Sequence, residues 1–296
     1  MTLDTLALIL LGGVVLGSLY ALMATGLALV WTTLGIFNFA HGTFIALGAY
    51  VAWQVASSEA AGAGLLVGSV VSIAGMFVVG MLTYYLLIKP FERNPDIVVK
   101  SVITTLAGAT IVENLINLFW GPRSKQLSAL LTGDISAFGL AMSRNEAAVV
   151  VLALVILAAL GVFLQKARIG RAMRAVAQNR EAAQLMGLDV VRLYAIAFGL
   201  SAALAAIAGI LIGSTRFMNP SMGADPLMKA LIVVIFGGIA RFTGPIYAAF
   251  IVGLLEAVMT YVVGLYWSPT VLFAIMILVL VAKPEGLFGS YRKSVQ

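Results

Sequence analysis

Charged side chains are missing from long intervals of this chain. No Asp, Glu, Lys or Arg falls between Asp4 and Glu59, and further apolar stretches separate Glu59 from Lys89, Glu146 from Lys166, Arg192 from Arg216 and Glu256 from Lys283. A helix needs about 20 apolar residues to cross a bilayer, so the first interval holds two spans. The runs are continuous and rich in Leu, Ala, Val and Gly, unlike the alternating segments of about ten residues in a transmembrane barrel. The pattern predicts an all-α, polytopic membrane helix bundle, one domain over 1–296. Its spans lie near 5–31, 42–57, 64–88, 97–119, 146–165, 192–214, 228–240, 244–264 and 269–282. The seventh and ninth are short. If one of them is re-entrant or broken, the crossings number eight instead of nine.

Composition supports this reading. Of 296 residues, 62% are hydrophobic and 10% are charged, against about 25% charged in a soluble domain. The run from Thr5 to Trp31 lacks a basic leader and is too long for a signal-peptide core, so it is expected to stay as the first span. Lys and Arg divide unevenly between the two sets of loops, thirteen (such as Lys89, Arg93, Arg241, Arg292 and Lys293) against five (Arg123, Lys125, Arg144, Arg216 and Lys229). The basic set is expected in the cytoplasm, which puts the N-terminus outside, the C-terminus inside, and the number of crossings at an odd value. The net charge of +6 then reports orientation and anionic lipid, with no nucleic-acid partner implied. There is no cysteine and one histidine, His41, so no metal site of several His or Cys ligands is available.

The longest charged interval, within 166–192, is RIGRAMRAVAQNREAAQLMGLDVVR over Arg168–Arg192. Residues 172–186 are strong helix formers with apolar positions at helical spacing. Asn179 is placed to cap a helix opening at Arg180 or Glu181, and Gly187 to end it. Two readings are open: a surface helix held to anionic lipid by arginines, or a helix that docks on a soluble partner.

Here the residues resemble a known family. Glu181-Ala182-Ala183-Gln184-Leu185-Met186-Gly187 resembles the E-A-A-x-x-x-G motif of ABC importer permeases. Asn38-Phe39-Ala40-His41-Gly42 with Leu47-Gly48-Ala49-Tyr50, the run from Gly170 to Asn179 with Arg171 and Arg174, Lys229 through Gly238, and Lys283 through Gly289 are similar to segments of the branched-chain amino acid permeases, most of all the smaller permease of the pair. The resemblance implies a heteromeric importer: this permease with a second related one, two cytoplasmic ATPase subunits that bind ATP and Mg, and an external solute-binding protein. It also implies that residues 181–187 form the segment seated on the ATPase. The chain has no G-x-x-x-x-G-K-[ST] loop, so it is expected not to hydrolyse ATP and to hold no cofactor. Within this family the solute is branched-chain amino acids or another small polar solute such as urea, amides or aromatic acids.

Polar groups inside spans are the pathway candidates, because they face a cavity or a partner helix. Asn38 and His41 flank a hydropathy break at 32–42, either a half-helix end on the pathway or a satisfied turn. Glu113 and Asn117 share a helix face with Asn114 beside them, lining a path or bonding neighbouring helices. Glu256 lies deep in the eighth span and needs a proton or a cation. Gly237 and Gly238 are candidates for a gate or hinge. Leu19-Tyr20-Ala21 and Leu193-Tyr194-Ala195 form a weak internal echo. Two rivals remain: a secondary transporter carrying protons on Glu113 or Glu256, and an intramembrane hydrolase using His41 with a serine such as Ser18.

Overall fold

A computed structural model describes residues 3–58, 64–92, 94–137, 140–238 and 243–288. Arg93, Arg241, Arg292 and Lys293, which entered the charge-based orientation, lie outside the described residues, as do Glu59 and the end of the predicted span at 228–240.

The chain is a helix bundle. Among the described residues six helices are long and apolar enough to cross a membrane: α1 (Leu3–Leu34), α3 (Gly64–Thr83, continued by a π turn and a 3-10 turn to Phe91), α4 (Ile97–Trp120), α5 (Arg144–Lys166), α8 (Val190–Thr215) and α10 (Gly244–Val263). Between them lie the short α2 (His41–Ala56), α6 (Arg168–Gln178), α7 (Arg180–Leu185), α9 (Ala224–Gly237) and α11 (Ser268–Ala282). Large apolar residues such as Leu66, Leu118, Phe119 and Val281 point outward, which suits lipid and not water. The segment 120–145 contains a small antiparallel hairpin, β1 (Asp134–Ala137) with β2 (Leu140–Ser143). Among the described residues this hairpin is the exception to the all-α expectation; β2 touches α5 and α1, and the strands pair with each other because their backbone polar groups need a partner that no helix supplies. Asn145 ties the segment down. Its Oδ1 accepts from the Leu130 amide at 2.8 Å, and its Nδ2 donates to the Ser214 carbonyl at 2.8 Å.

Two short helices start inside the bundle. The His41 ring, at the first turn of α2, reaches the Met23 carbonyl at 3.1 Å. Met23 lies about 16 Å back along α1 from Leu34 at 1.5 Å per residue, so the chain after α1 turns inward before α2 begins. The segment after α8 does the same. Met218 is fully buried and exchanges backbone hydrogen bonds with Lys125 at 2.8 and 2.9 Å. The two helix starts then meet. A Cβ on Gly42 would lie 2.4 Å from the Gly223 carbonyl oxygen, and one on Gly223 would lie 2.1 Å from that of Gly42.

This meeting point relates two halves of the chain. The ends of α1 and α8 (Leu34, Thr215) and of α2 and α9 (Ala56, Gly237) are 181 residues apart, as are Asn38-x-x-x-Gly42 and Asn219-x-x-x-Gly223; α3 and α10 start 180 apart. Packing follows the same rule: α1 packs on α10 as α8 packs on α3, and α2 on α8 as α9 on α1. Gly13 faces Leu254 while Gly17 faces Phe250, so α1 and α10 run antiparallel. The mates α1 and α8 are antiparallel too, with Gly26 against Ser201 and Leu204 while Leu16 shares a cavity with Ile212 and Arg216, so the arrangement is an inverted repeat. The Leu-Tyr-Ala echo is 174 residues apart and does not follow it. Helices α5, α6 and α7 have no counterpart and form the connection between halves.

Replacing Gly42 or Gly223 by Ala forces a methyl into a backbone contact. Overpacking of this kind costs about 1–3 kcal/mol, and the unfolding midpoint of the purified protein in detergent is expected to fall for either variant. An unchanged midpoint for both would contradict the contact.

Candidate functional site

The connection between the halves leaves the bundle as two short helices. Helix α6 is amphipathic, with Met173 and Val176 buried and Arg171 and Arg174 exposed. Asn179 breaks it in an extended conformation and caps α7, its Oδ1 accepting from the Ala182 amide at 3.0 Å. At the other end Gly187 takes φ +80°. The Leu188 amide returns to the Ala183 carbonyl at 3.1 Å and the Gly187 amide to that of Gln184 at 2.9 Å, the two bonds of a Schellman motif. Asp189 then caps α8 through the Arg192 amide. The helix expected around 180–187 is thus present, clipped at both ends.

The bundle grips α7 on one side only. Ala183 is buried, and Arg180 pairs with Glu92 below α3. The Glu92 carboxylate also accepts from the Tyr84 hydroxyl at 3.0 Å, and the Arg180 guanidinium lies 5.5 Å from the centre of the Tyr194 ring on α8. On the outer side, Glu181 and Ala182 are exposed, Leu185 is 88% exposed and Met186 83%. Two bare apolar side chains on a stretch otherwise rich in charge are the more informative kind of exposure.

Within the bundle the candidates separate. His41 is fully buried, with Nε2 on the Met23 carbonyl and Nδ1 3.2 Å from the Ser201 hydroxyl. A carbonyl only accepts, so Nε2 carries the proton and Nδ1 accepts from Ser201. The serine beside His41 is therefore Ser201, while Ser18 donates to the Val15 carbonyl. Asn38 is equally buried. Its Oδ1 accepts from the Ala40 amide and its Nδ2 has no partner.

Glu256 acquires a cation. Lys229 Nζ lies 2.8 Å from Glu256 Oε1 and 3.1 Å from Asp225, and the Tyr20 hydroxyl donates to Glu256 Oε2 at 2.6 Å. The sequence reading counted Lys229 as a loop cation. It sits in the second turn of α9, its side chain 11% exposed, because the re-entrant start of α9 carries it into the bundle. The pair links α9 to α10, and Tyr20 adds α1. Beside it lies a cavity of about 160 Å³ between α1, α9 and the end of α8, reached by Arg216 and Asp225.

Asn114 and Asn117 are exposed on α4, and Glu113 is half-buried beside them. The asparagine amides donate to carbonyls of their own helix, Asn114 to Thr110 at 2.8 Å and Asn117 to Glu113 at 3.3 Å. The Glu113 carboxylate has no partner among the described residues. Gly237 and Gly238 end α9, where Gly237 abuts the Gly244 backbone and the returning C-terminal segment donates from the Leu287 amide to the Phe236 carbonyl at 2.7 Å.

Comparison with known proteins agrees over nearly the whole chain. The family described as branched-chain amino acid transport system / permease component matches residues 9–280. The high-affinity branched-chain amino acid transport system permease protein LivH of Escherichia coli K12 is 29% identical, over 94% of this chain and 93% of its own length. The corresponding BraD of Pseudomonas aeruginosa is 28% identical over 95% and 94%. A LivH protein of Methanocaldococcus jannaschii, described as a probable branched-chain amino acid transport permease, is 29% identical over 95% and 92%.

Removing one partner of a buried ion pair costs about 3–5 kcal/mol, whereas replacing both by apolar groups is often neutral. Lys229→Met is therefore expected to lower the unfolding midpoint in detergent sharply, and Lys229→Met with Glu256→Leu to recover most of it. A double variant no more stable than the single one would show that the pair is not the relevant interaction.

Proposed function

We propose the following role for this chain, which belongs to the family of branched-chain amino acid transport system permease components. It is a multi-pass permease subunit of an ABC importer in the bacterial cytoplasmic membrane. With a second, related permease it forms the pathway for small amino acids, branched-chain ones above all. Two ATPase subunits that bind ATP and Mg drive it from the cytoplasm, and an external binding protein delivers the solute. The N-terminus lies outside and α6 and α7 lie inside.

One observation carries the reading: the exposed Leu185–Met186 tip of a helix whose opposite side is fixed to the bundle. A soluble ATPase can accept the tip in an apolar groove. Arg180 and Ala183 transmit its displacement, since α7 cannot shift without carrying the Glu92 end of α3 and Tyr194 of α8. Glu181, Ala182, Ala183 and Gly187 set the shape of this contact, with Arg171 and Arg174 flanking it.

The face of α4 supports the second half of the reading. A carboxylate and two amides turned out of an apolar helix are costly against lipid. We place Glu113, Asn114 and Asn117 against the second permease or the solute pathway between the two. Asn38 and His41, locked inside the subunit, are assigned to shaping the re-entrant turn. Gly237 and Gly238 are retained as a hinge where α9 meets the returning C-terminal segment.

Leu185→Asp with Met186→Asp changes only exposed side chains. Membrane insertion and the thermal midpoint are expected to be unchanged, while co-purification of the ATPase and ATP-dependent uptake of radiolabelled leucine fall to background. Glu181→Lys and Gly187→Val, the latter straining a left-handed backbone, should also abolish uptake. Full uptake with the Asp pair in place would overturn the coupling role.

A further inference from the structure

Helix α5 has no mate in the repeat, and it packs against α1 of one half and α8 of the other. On each side it leaves a crevice. The one against α3 and α8 is about 490 Å³ and wholly apolar but for Ser69. The other, about 210 Å³, lies between α1, α5 and α10 and is different in kind. Its wall is apolar, with Leu157, Leu160 and Leu164 of α5 facing Ile246 of α10, while Gln165 and Arg174 stand at the end nearest α6. From Gln165 to Leu157 it descends about 12 Å along α5 at 1.5 Å per residue.

We propose that this α1–α5–α10 crevice binds an anionic phospholipid, one acyl chain lying along α5 and the phosphate held by Arg174. Three observations carry the assignment. First, apolar below and cationic at the rim is the distribution of a phospholipid, and an acyl chain is the flexible apolar group that the membrane supplies at this depth. Second, the rim is not neutralised by the protein. Arg174 spends one of its five N–H donors on the Gln165 carbonyl at 3.3 Å, and among the described residues no carboxylate pairs with it or with Lys166, Arg168 or Arg171 beside it. Third, the wall holds an unused donor. Thr25 is 1% exposed and lines the crevice, yet its Oγ1 has no partner, whereas Thr33 and Thr105 bond to carbonyls one turn back in their own helices. An ester oxygen can accept from it. The apolar crevice on the other side of α5 has no cation in its lining and is not expected to select a head group.

Gly161 provides the discriminating variant. It lines the crevice, and a Cβ built there meets nothing within 4 Å, so Gly161→Leu fills the space without moving backbone. The test is native mass spectrometry of the full permease complex, offered equimolar phosphatidylglycerol and phosphatidylcholine with identical acyl chains. The unaltered protein is expected to retain phosphatidylglycerol about fivefold over phosphatidylcholine, the selectivity of roughly one basic side chain at a membrane surface. Arg174→Gln should keep the bound lipid and bring the ratio near one. Gly161→Leu should lose the lipid whichever head group it bears. Equal retention by the unaltered protein would overturn the proposal, as would a preference that survives Arg174→Gln. If Gly161→Leu does not fold, the exposed Arg174→Gln decides alone. None of these outcomes bears on which solute is carried, and since Arg174 also flanks the ATPase contact, retention of the ATPase in the Arg174→Gln complex is read from the same spectra.

Discussion

Two helices that begin in the middle of an apolar bundle impose the constraint on which the rest of this fold depends. Each start leaves backbone amides unpaired, and within a bilayer core no water is at hand to meet them. Asn38 supplies one acceptor within its own turn. Gly42 and Gly223 bring the two starts into backbone contact, which a side chain at either position would prevent. At α9 no side chain caps the first turn; there Asp225 and Glu256 of α10 share Lys229, which ties the start of the helix to its neighbour. These local solutions fix how deep α2 and α9 begin, and with that the pairing of α1 with α10 and of α3 with α8.

That depth is what the sequence did not reveal. Hydropathy located each helix to within a few residues, because lipid-facing and core-facing positions are alike apolar and only the ends carry charge. It could not say that the break at 32–42 folds back inside, since Asn38 and His41 look the same in a surface turn. The same blindness placed Lys229 in a loop. A lysine beside Asp225-Pro226 reads as a span boundary, and its partner Glu256 is 27 residues away on another helix. Around α7 the reverse holds. Asn179 accepts from an amide three residues on, and at Gly187 amides return to carbonyls three and five residues back, so capping chemistry is legible locally, and both expected caps are present.

The internal repeat stayed hidden for a related reason. Packing by small residues constrains size and not identity, so the halves share element lengths and the Asn-x-x-x-Gly turns but little else. The Leu-Tyr-Ala echo was the more visible match, and it joins residues that the fold does not make equivalent: Tyr20 bonds Glu256, while Tyr194 lies against Arg180 and the ring of Tyr84.

The unmatched connection has its own consequence. An inverted repeat built from like halves has no preferred direction, since turning it over exchanges one half for the other. The connection between the halves, the β1–β2 segment with α5 to α7, distinguishes top from bottom, and it sits at the junction of the halves instead of within either. Any push delivered there enters off-centre and reaches Glu92 and Tyr194, one residue from each half. A body that is nearly its own mirror in sense thus receives a one-sided input, and such an input rocks the two halves against each other where a central one would only translate them.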